Sequence, residues 1–128
     1  MLQFGHRYRY DPGAIFGPHY DQSSLCPISG LHSQWTLLIY LTGGKPTSPS
    51  NSNSNFTAAA KEKPAALIGG HTVFYASHST AASTARWEVA PQRGMALLHR
   101  HGENCMLHEA RAPEAGVKWV LRSDLLFG

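Results

Sequence analysis

The sequence predicts a single all-β domain whose core is a jelly-roll-like, double-stranded β-helix. About seven short runs of apolar, β-branched and aromatic residues follow one another along the chain, separated by turn signals. No segment carries a convincing helical period. Short strands at this spacing are typical of sandwiches and jelly rolls. A chain of 128 residues that is 42% hydrophobic can bury one core but not two.

The strands are predicted in order from local patterns. Residues 2–10 alternate between apolar or aromatic and polar side chains, which indicates a half-buried strand that ends at the turn Asp11-Pro12-Gly13. Residues 16–21 are predicted to form a second short strand. The later strands are predicted at residues 35–42, 70–77, 94–100, 104–109 and 116–126, with turns at Gly102-Glu103-Asn104 and Pro113-Glu114-Ala115-Gly116.

Residues 43–66 differ in composition from the rest of the chain. They are rich in Pro, Ser and Asn, and a low-complexity stretch of this kind cannot bury a core. Because the stretch lies between two predicted strands, we interpret it as a disordered surface insertion. The domain prediction is therefore one domain over residues 1–128.

Composition excludes several classes of partner. The net charge of +3, from 11 basic and 8 acidic side chains, includes no basic run, so a nucleic-acid partner is not indicated. No apolar run is long enough to cross a bilayer, and the N-terminus has no signal-peptide pattern, so we favour a cytoplasmic location without membrane contact. The two cysteines, Cys26 and Cys105, are too few for a disulfide framework and are predicted to be free thiols.

One set of polar residues predicts a metal centre. His19 and Asp21 are two residues apart, so on a strand both side chains would project from one face. A third ligand, His108, would have to come from a distant strand that a barrel or sandwich brings close. Two imidazoles and one carboxylate on adjacent positions, with the opposite face open, are the ligands expected of a non-haem Fe(II) oxygenase.

The surrounding blocks extend this pattern along nearly the whole chain. The blocks are Arg9-Tyr10-Asp11-Pro12-Gly13, His19-Tyr20-Asp21, Trp35-Thr36-Leu37-Leu38-Ile39-Tyr40-Leu41, Gly69-Gly70-His71-Thr72-Val73-Phe74-Tyr75, Pro91-Gln92-Arg93-Gly94-Met95-Ala96-Leu97-Leu98, Leu107-His108-Glu109 and Gly116-Val117-Lys118-Trp119. In order and apart from residues 44–66, they resemble a prolyl 4-hydroxylase-like 2-oxoglutarate/Fe(II) dioxygenase domain.

The resemblance implies an activity and its cofactors. The enzyme would be a hydroxylase that decarboxylates 2-oxoglutarate to succinate and CO2, consumes O2 and hydroxylates a peptidyl substrate, prolyl among the candidates, or a small molecule. Fe(II) and 2-oxoglutarate are the implied cofactor and cosubstrate, with ascorbate as a candidate accessory. Lys118 would neutralise the distal carboxylate of 2-oxoglutarate. Tyr40 matches a position that donates to the same carboxylate, and Tyr10 one that contacts the cosubstrate near the metal.

A second class of function stays open. Related domains carry helices and strands before the first core strand, whereas Met1 lies almost at that strand. We therefore expect this N-terminal helical support to be missing and the chain to be a fragment, a truncated product or a minimal relative. The alternative function is a non-catalytic or truncated β-sandwich binding module that retains the metal ligands.

Two further groups of residues have competing interpretations. His99, His101, Cys105 and His108 could be imagined as a zinc site. Their spacing matches no standard zinc finger and the site would compete for His108, so we do not favour it. Arg122 and Asp124 could bind substrate, but a local ion pair is the preferred interpretation.

Overall fold

The described part of the chain folds into ten β-strands. The structure is a computed structural model that describes residues 5–44, 65–76 and 85–128. The strands are β1 His6–Tyr10, β2 Phe16–His19, β3 His32–Tyr40, β4 Ile68–Gly69, β5 Thr72–Tyr75, β6 Ala85–Val89, β7 Ala96–Arg100, β8 His108–Ala110, β9 Pro113–Ala115 and β10 Lys118–Phe127. A 3₁₀ turn at Gly102–Asn104 is the one helical element within these ranges.

The strands form two four-stranded sheets and one short pair. The first sheet has the order β1-β10-β3-β7, the second has the order β2-β8-β5-β6, and β4 pairs with β9. Every pairing between these strands is antiparallel. Side chains from both four-stranded sheets line one cavity, so the sheets face each other. This arrangement confirms the predicted all-β, jelly-roll-like core.

The longest pairing, between β10 and β3, forms the centre of the first sheet. Val120 lies opposite Tyr40 and Asp124 opposite Thr36, and a bulge separates Leu125 from Leu126. Alternation along β10 buries Lys118 and Val120 on one face. This is why a lysine can project into the interior at the start of the last strand.

Several sequence-based boundaries were wrong. The predicted strand 104–109 starts only at His108, because Asn104 ends the 3₁₀ turn and residues 105–107 belong to no helix or strand. The predicted turn at 113–116 is mostly strand β9, whose backbone pairs with β4, and the reversal is left to Gly116 with a φ of 71°. Strand β6 was missed, although its Trp87-Glu88-Val89 sequence is typical of a strand.

Other predictions fall partly outside the described residues. Of the predicted insertion, residues 45–64 are not described. Both cysteines are free, as predicted, and the structure shows that both are buried. Within the described ranges, no helix is long and apolar enough to span a membrane.

Candidate functional site

His19 and His108 are brought together by strand pairing. They lie directly opposite each other on β2 and β8, and their ring centroids are 4.3 Å apart. His19 Nδ1 donates to the Gly17 carbonyl at 2.8 Å, and His108 Nδ1 donates to the Met106 carbonyl at 2.9 Å. Because a carbonyl only accepts, each ring keeps its Nε2 lone pair free as a ligand atom. The backbone therefore orients both imidazoles.

Asp21 lies beyond the end of β2, which corrects the predicted strand 16–21. Its backbone N–H donates to Cys105 Sγ at 3.3 Å, and its carbonyl accepts from the Gly102 N–H at 2.9 Å. These hydrogen bonds take the place of β-sheet pairing with β8, so Asp21 is held by the segment around the 3₁₀ turn. The expected proximity of His19 and Asp21 nevertheless holds, since His19 Nε2 is 3.8 Å from Asp21 Oδ1.

The Asp21 carboxylate is buried and has two strong partners. Thr36 donates to Oδ2 at 2.6 Å, and Arg122 Nη2 lies 3.1 Å from Oδ1. Burial alone would raise the pKa of Asp21, but the hydrogen bond from Thr36 and the charge of Arg122, with smaller effects of His108 and His99, lower the pKa below its ordinary value. The carboxylate is thus kept ionised and able to bind a cation.

The three predicted ligands form one cluster. One ligand atom from each of His19, Asp21 and His108 can be chosen so that all three lie within 4.8 Å of one another. Burial lowers the pKa of His108, so this imidazole is neutral at pH 7, which is the form that binds metals. Two imidazole nitrogens and one carboxylate oxygen are donors that suit Fe(II). The donor set therefore fits the implied metal.

Lys118 lies inside the protein without a counter-charge. Its side chain is 1% exposed, and its only hydrogen bond within the described ranges is from Nζ to the Gly70 carbonyl at 2.7 Å. No carboxylate of the described residues forms an ion pair with it. Burial lowers the pKa of Lys118 to about 8. Gly70 approaches the lysine closely, since a Cβ on Gly70 would lie 3.3 Å from Lys118 Cδ.

The two predicted tyrosines surround this lysine. Nζ lies 5.1 Å from the ring centroid of Tyr10 and 5.7 Å from that of Tyr40, distances typical of cation–π contacts. The Tyr40 hydroxyl is hydrogen bonded to Thr72 Oγ1 at 2.7 Å. Burial raises the pKa of Tyr40 to about 12, so its hydroxyl stays protonated. Aromatic faces and hydroxyls, rather than acids, therefore surround the cation.

One cavity joins the lysine to the histidine cluster. Its walls include Lys118, Tyr10 and Thr72 at one side and His19, Asp21 and His108 at the other. Tyr40 does not line this cavity directly and reaches it through Thr72. All the predicted site residues thus line this cavity or, in the case of Tyr40, contact a residue that lines it.

Sequence reasoning missed two residues that act on Asp21. Thr36 was read only as part of an apolar strand, and Arg122 was expected to pair locally with Asp124. The Arg122 Nε to Asp124 Oδ1 distance is 3.5 Å, longer than the 3.1 Å contact of Arg122 with Asp21. Strand alternation offered a signal, since Lys118 and Arg122 are four residues apart and both line the cavity.

The structure also bears on the possible zinc site of His99, His101, Cys105 and His108. One ligand atom each from His99, Cys105 and His108 can be chosen within 4.8 Å of one another. His101 is hydrogen bonded elsewhere, to Thr36 at 2.5 Å and to Ser33 at 3.1 Å. Three of the four residues are therefore together, and the fourth belongs to the hydrogen-bond network behind Asp21.

The chain matches no protein-family model, and no curated protein matches it. Solved structures do match. Two crystal structures of the viral collagen prolyl hydroxylase vCPH from Paramecium Bursaria Chlorella virus-1, one a 2OG complex and one a truncated form, are each 18% identical to this chain. Their TM-scores are 0.60 and 0.61 over 100% of this chain.

These matches define the fold. The chain has a prolyl hydroxylase-like fold, as its sequence blocks predicted. It spans 60% and 57% of the lengths of the two viral chains. At this level of identity the likeness extends to the fold alone, so the activity rests on the site geometry.

Proposed function

We propose that the chain is the core of a 2-oxoglutarate- and Fe(II)-dependent dioxygenase. His19, Asp21 and His108 would hold the iron, and Lys118 would bind the distal carboxylate of 2-oxoglutarate. The bound iron and 2-oxoglutarate supply the oxidative chemistry, with release of succinate and CO2. The protein contributes orientation of the ligands, exclusion of water and neutralisation of charge.

The observation that carries this proposal is a buried cation, Lys118, that forms no ion pair with any residue the structure describes. A buried lysine without an anionic partner destabilises a folded protein. Lys118 uses one of its three donors on the Gly70 carbonyl and has no carboxylate partner among the described residues. Its cavity continues to a cluster of two imidazoles and a carboxylate. A small dianion such as 2-oxoglutarate would satisfy both ends, with one carboxylate held by the lysine and the keto-acid group directed to the metal ligands.

The tyrosines would complete the cosubstrate pocket. Tyr10 lines the cavity beside Lys118 and would contact the carbon chain of 2-oxoglutarate. Tyr40 would act through its hydroxyl, which now meets Thr72 and could turn to the same carboxylate. Both retain a protonated hydroxyl, since burial is the main factor that raises the pKa of each.

The substrate class is inferred more coarsely. The fold match to a collagen prolyl hydroxylase supports a peptidyl substrate, with prolyl residues among the candidates and a small molecule as the other choice. Ascorbate would be an accessory reductant. Cytoplasmic location and the absence of nucleic-acid and membrane partners stay predictions.

An anaerobic titration tests the proposal directly. Fe(II) is added to the apo chain, followed by 2-oxoglutarate, and the visible spectrum is recorded. We expect a metal-to-ligand charge-transfer band that needs both additions. Asp21→Ala should lose the band, whereas Asp11→Ala, which removes an exposed carboxylate paired with Arg9, should retain it. Absence of the band in folded wild-type protein would reject the dioxygenase.

One contact favours the second candidate, a non-catalytic binding module. Arg122 Nη2 pairs with Asp21 Oδ1 at 3.1 Å, so a side chain of the protein already neutralises part of the carboxylate that would bind iron. A module of this kind would bind 2-oxoglutarate or another dianion at Lys118 without iron. Calorimetry with 2-oxoglutarate in the presence of a chelator separates the two candidates, because the dioxygenase should need the metal for tight binding.

A further inference from the structure

We propose that His99, Cys105 and His108 form a second, thiolate-containing metal site. It takes soft divalent ions such as Zn²⁺ and shares His108 with the iron site. Ion binding at the second site therefore excludes Fe(II) from the first. The existence of the second site stands by itself, whereas the exclusion rests on the proposed function.

The geometry of the three side chains carries the proposal. One ligand atom of each lies within 4.8 Å of the others, and all three residues are buried. The His99 and His108 ring centroids are 4.5 Å apart, and Cys105 Sγ lies 3.9 Å from Nδ1 of His108. Zinc bonds are about 2.3 Å to sulfur and about 2.0–2.1 Å to nitrogen, so a shift of these side chains by about 1 Å would close the site.

The backbone supports Cys105 as a ligand. The 3₁₀ turn at Gly102–Asn104 presents Cys105 at its end, where the Cys105 N–H donates to the Gly102 carbonyl at 2.9 Å. The Asp21 N–H donates to Sγ at 3.3 Å and so helps to fix the position of the sulfur. On ion binding the thiol proton leaves to solvent and the long 3.4 Å contact from Sγ to the Met106 carbonyl is given up.

The shared histidine makes the two sites compete. Cys105 Sγ lies next to Nδ1 of His108, so an ion held by both residues would take the place of the Nδ1 bond to the Met106 carbonyl, and the ring proton would move to Nε2. Iron would need a free lone pair on that Nε2, which lies 3.7 Å from Asp21 Oδ2. A neutral imidazole has one lone pair, which cannot serve two ions. Because thiolate is a soft ligand and Zn²⁺ binds nitrogen and sulfur sites more tightly than Fe(II), zinc should win at comparable concentrations.

Cobalt provides a direct probe of the thiolate. Co²⁺ is titrated anaerobically into the full apo chain, and the near-ultraviolet spectrum is followed for a sulfur-to-cobalt charge-transfer band. We expect the band to saturate at one ion per chain and to vanish when Zn²⁺ is added. Cys105→Ser should abolish the band and weaken Zn²⁺ binding by at least the roughly 10–100-fold that follows loss of an outer-shell partner. Cys26→Ser is the matched control and should retain the band, because Cys26 is outside the cluster.

The two sites can be separated by variants. His19→Ala removes a ligand of the iron site alone and should keep the cobalt–thiolate band. Cys105→Ser should keep the Fe(II)–2-oxoglutarate band, and this band should persist in the variant when zinc is added. Wild-type protein with the thiolate band but no Fe(II)–2-oxoglutarate band would reject the dioxygenase and leave the second site standing. A folded wild type without a thiolate band overturns the second site, and simultaneous binding of two ions overturns the exclusion.

A measurement on unaltered protein covers the case in which a variant does not fold. The rate at which a thiol reagent modifies Cys105 is followed by peptide mass spectrometry with and without Zn²⁺. Protection of Cys105 relative to Cys26 supports ligation. Equal rates with and without the ion contradict it.

Discussion

The two ends of the central cavity differ in how their buried charges are stabilised. At one end, the Asp21 carboxylate is neutralised by Arg122 and hydrogen bonded by Thr36. At the other end, Lys118 meets, among the described residues, a carbonyl and the faces of two aromatic rings. The carboxylate end is satisfied by the described part of the protein itself, whereas we propose that the cosubstrate anion completes the lysine end. Removing a charge should therefore destabilise the first end and stabilise the second.

The largest expected effect is on catalysis at the carboxylate end. Asp21→Ala removes one of three proposed ligands and leaves Arg122 without its shorter ion pair. We expect Fe(II)-dependent decarboxylation of 2-oxoglutarate to be abolished, and the free energy of unfolding to fall by about 1–3 kcal/mol. Decarboxylation is measured as CO2 release. His19→Ala and His108→Ala should also lose it, and near-normal turnover of Asp21→Ala would contradict the ligand assignment.

A smaller effect is expected on cosubstrate affinity at the lysine end. Lys118→Ala should weaken 2-oxoglutarate binding by about 2–5 kcal/mol, as for truncation of one partner of a buried charge pair. Iron affinity should be nearly unchanged, since Lys118 contacts none of the proposed ligands. Lys118→Arg should be milder because it keeps the charge. Calorimetry in both variants decides this, and unchanged affinity in Lys118→Ala would remove the lysine from the site.

The same lysine should make the stability of the apo protein depend on pH. Its pKa of about 8 in the folded state is below the value of about 10.4 in the unfolded chain. Between these values the unfolded state holds more protons, so stability should rise with pH from about 8 to about 10.4, and by up to about 3 kcal/mol. Below pH 8 the full penalty remains.

Comparison with Lys118→Met separates the pH dependence of stability that Lys118 causes from that of other groups that titrate at high pH. The variant should lack the rise and should be more stable than wild type at pH 7, because it buries no charge. Saturating 2-oxoglutarate with the metal should flatten the wild-type slope, since the anion raises the lysine pKa. Denaturant unfolding at several pH values measures this. A less stable Lys118→Met at pH 7 would show that the carbonyl and ring contacts outweigh burial of the charge.

The smallest expected effect concerns the hydrogen bond behind Asp21. Thr36→Val keeps the shape of the side chain but removes the hydroxyl that reaches Asp21 Oδ2 and His101 Nε2. We expect Fe(II) affinity to fall by about 10-fold and stability by about 1–2 kcal/mol. Thr36→Ser retains the hydroxyl and serves as the control. Equal iron affinity in Thr36→Val and wild type would limit Thr36 to a packing role.

The sequence predicted regular elements better than irregular ones. Sequence patterning located β1 from alternating residues, and β3, β5, β7 and β10 from short runs of strand-forming residues, because both signals are local. It failed at β9, where pairing with β4 turned a predicted turn into strand. It also failed at Asp21, whose backbone bonds to the 3₁₀ turn and to Cys105 depend on residues far away in the chain.

For the candidate site, residue identity was predictable and environment was not. His19, Asp21, His108 and Lys118 were named from spacing and from the order of the blocks, and the fold brings them to one cavity. The pairing of Arg122 with Asp21 was not accessible, because it joins residues from different parts of the chain. His99, Cys105 and His108 were considered as part of a zinc site that was not favoured, and only the structure shows how near they lie to one another.

The sequence by itself determined the all-β class, the polar residues available for chemistry and the order in which they occur, because alternation and residue type are local properties. Only the tertiary structure decided that Lys118 is buried with no acid of the described ranges paired to it, and that His108 lies between two groups of possible ligands. The reason is physical. Desolvation, ion pairing and ligand geometry depend on distances between strands that are remote in sequence and become neighbours only when the two sheets close on each other.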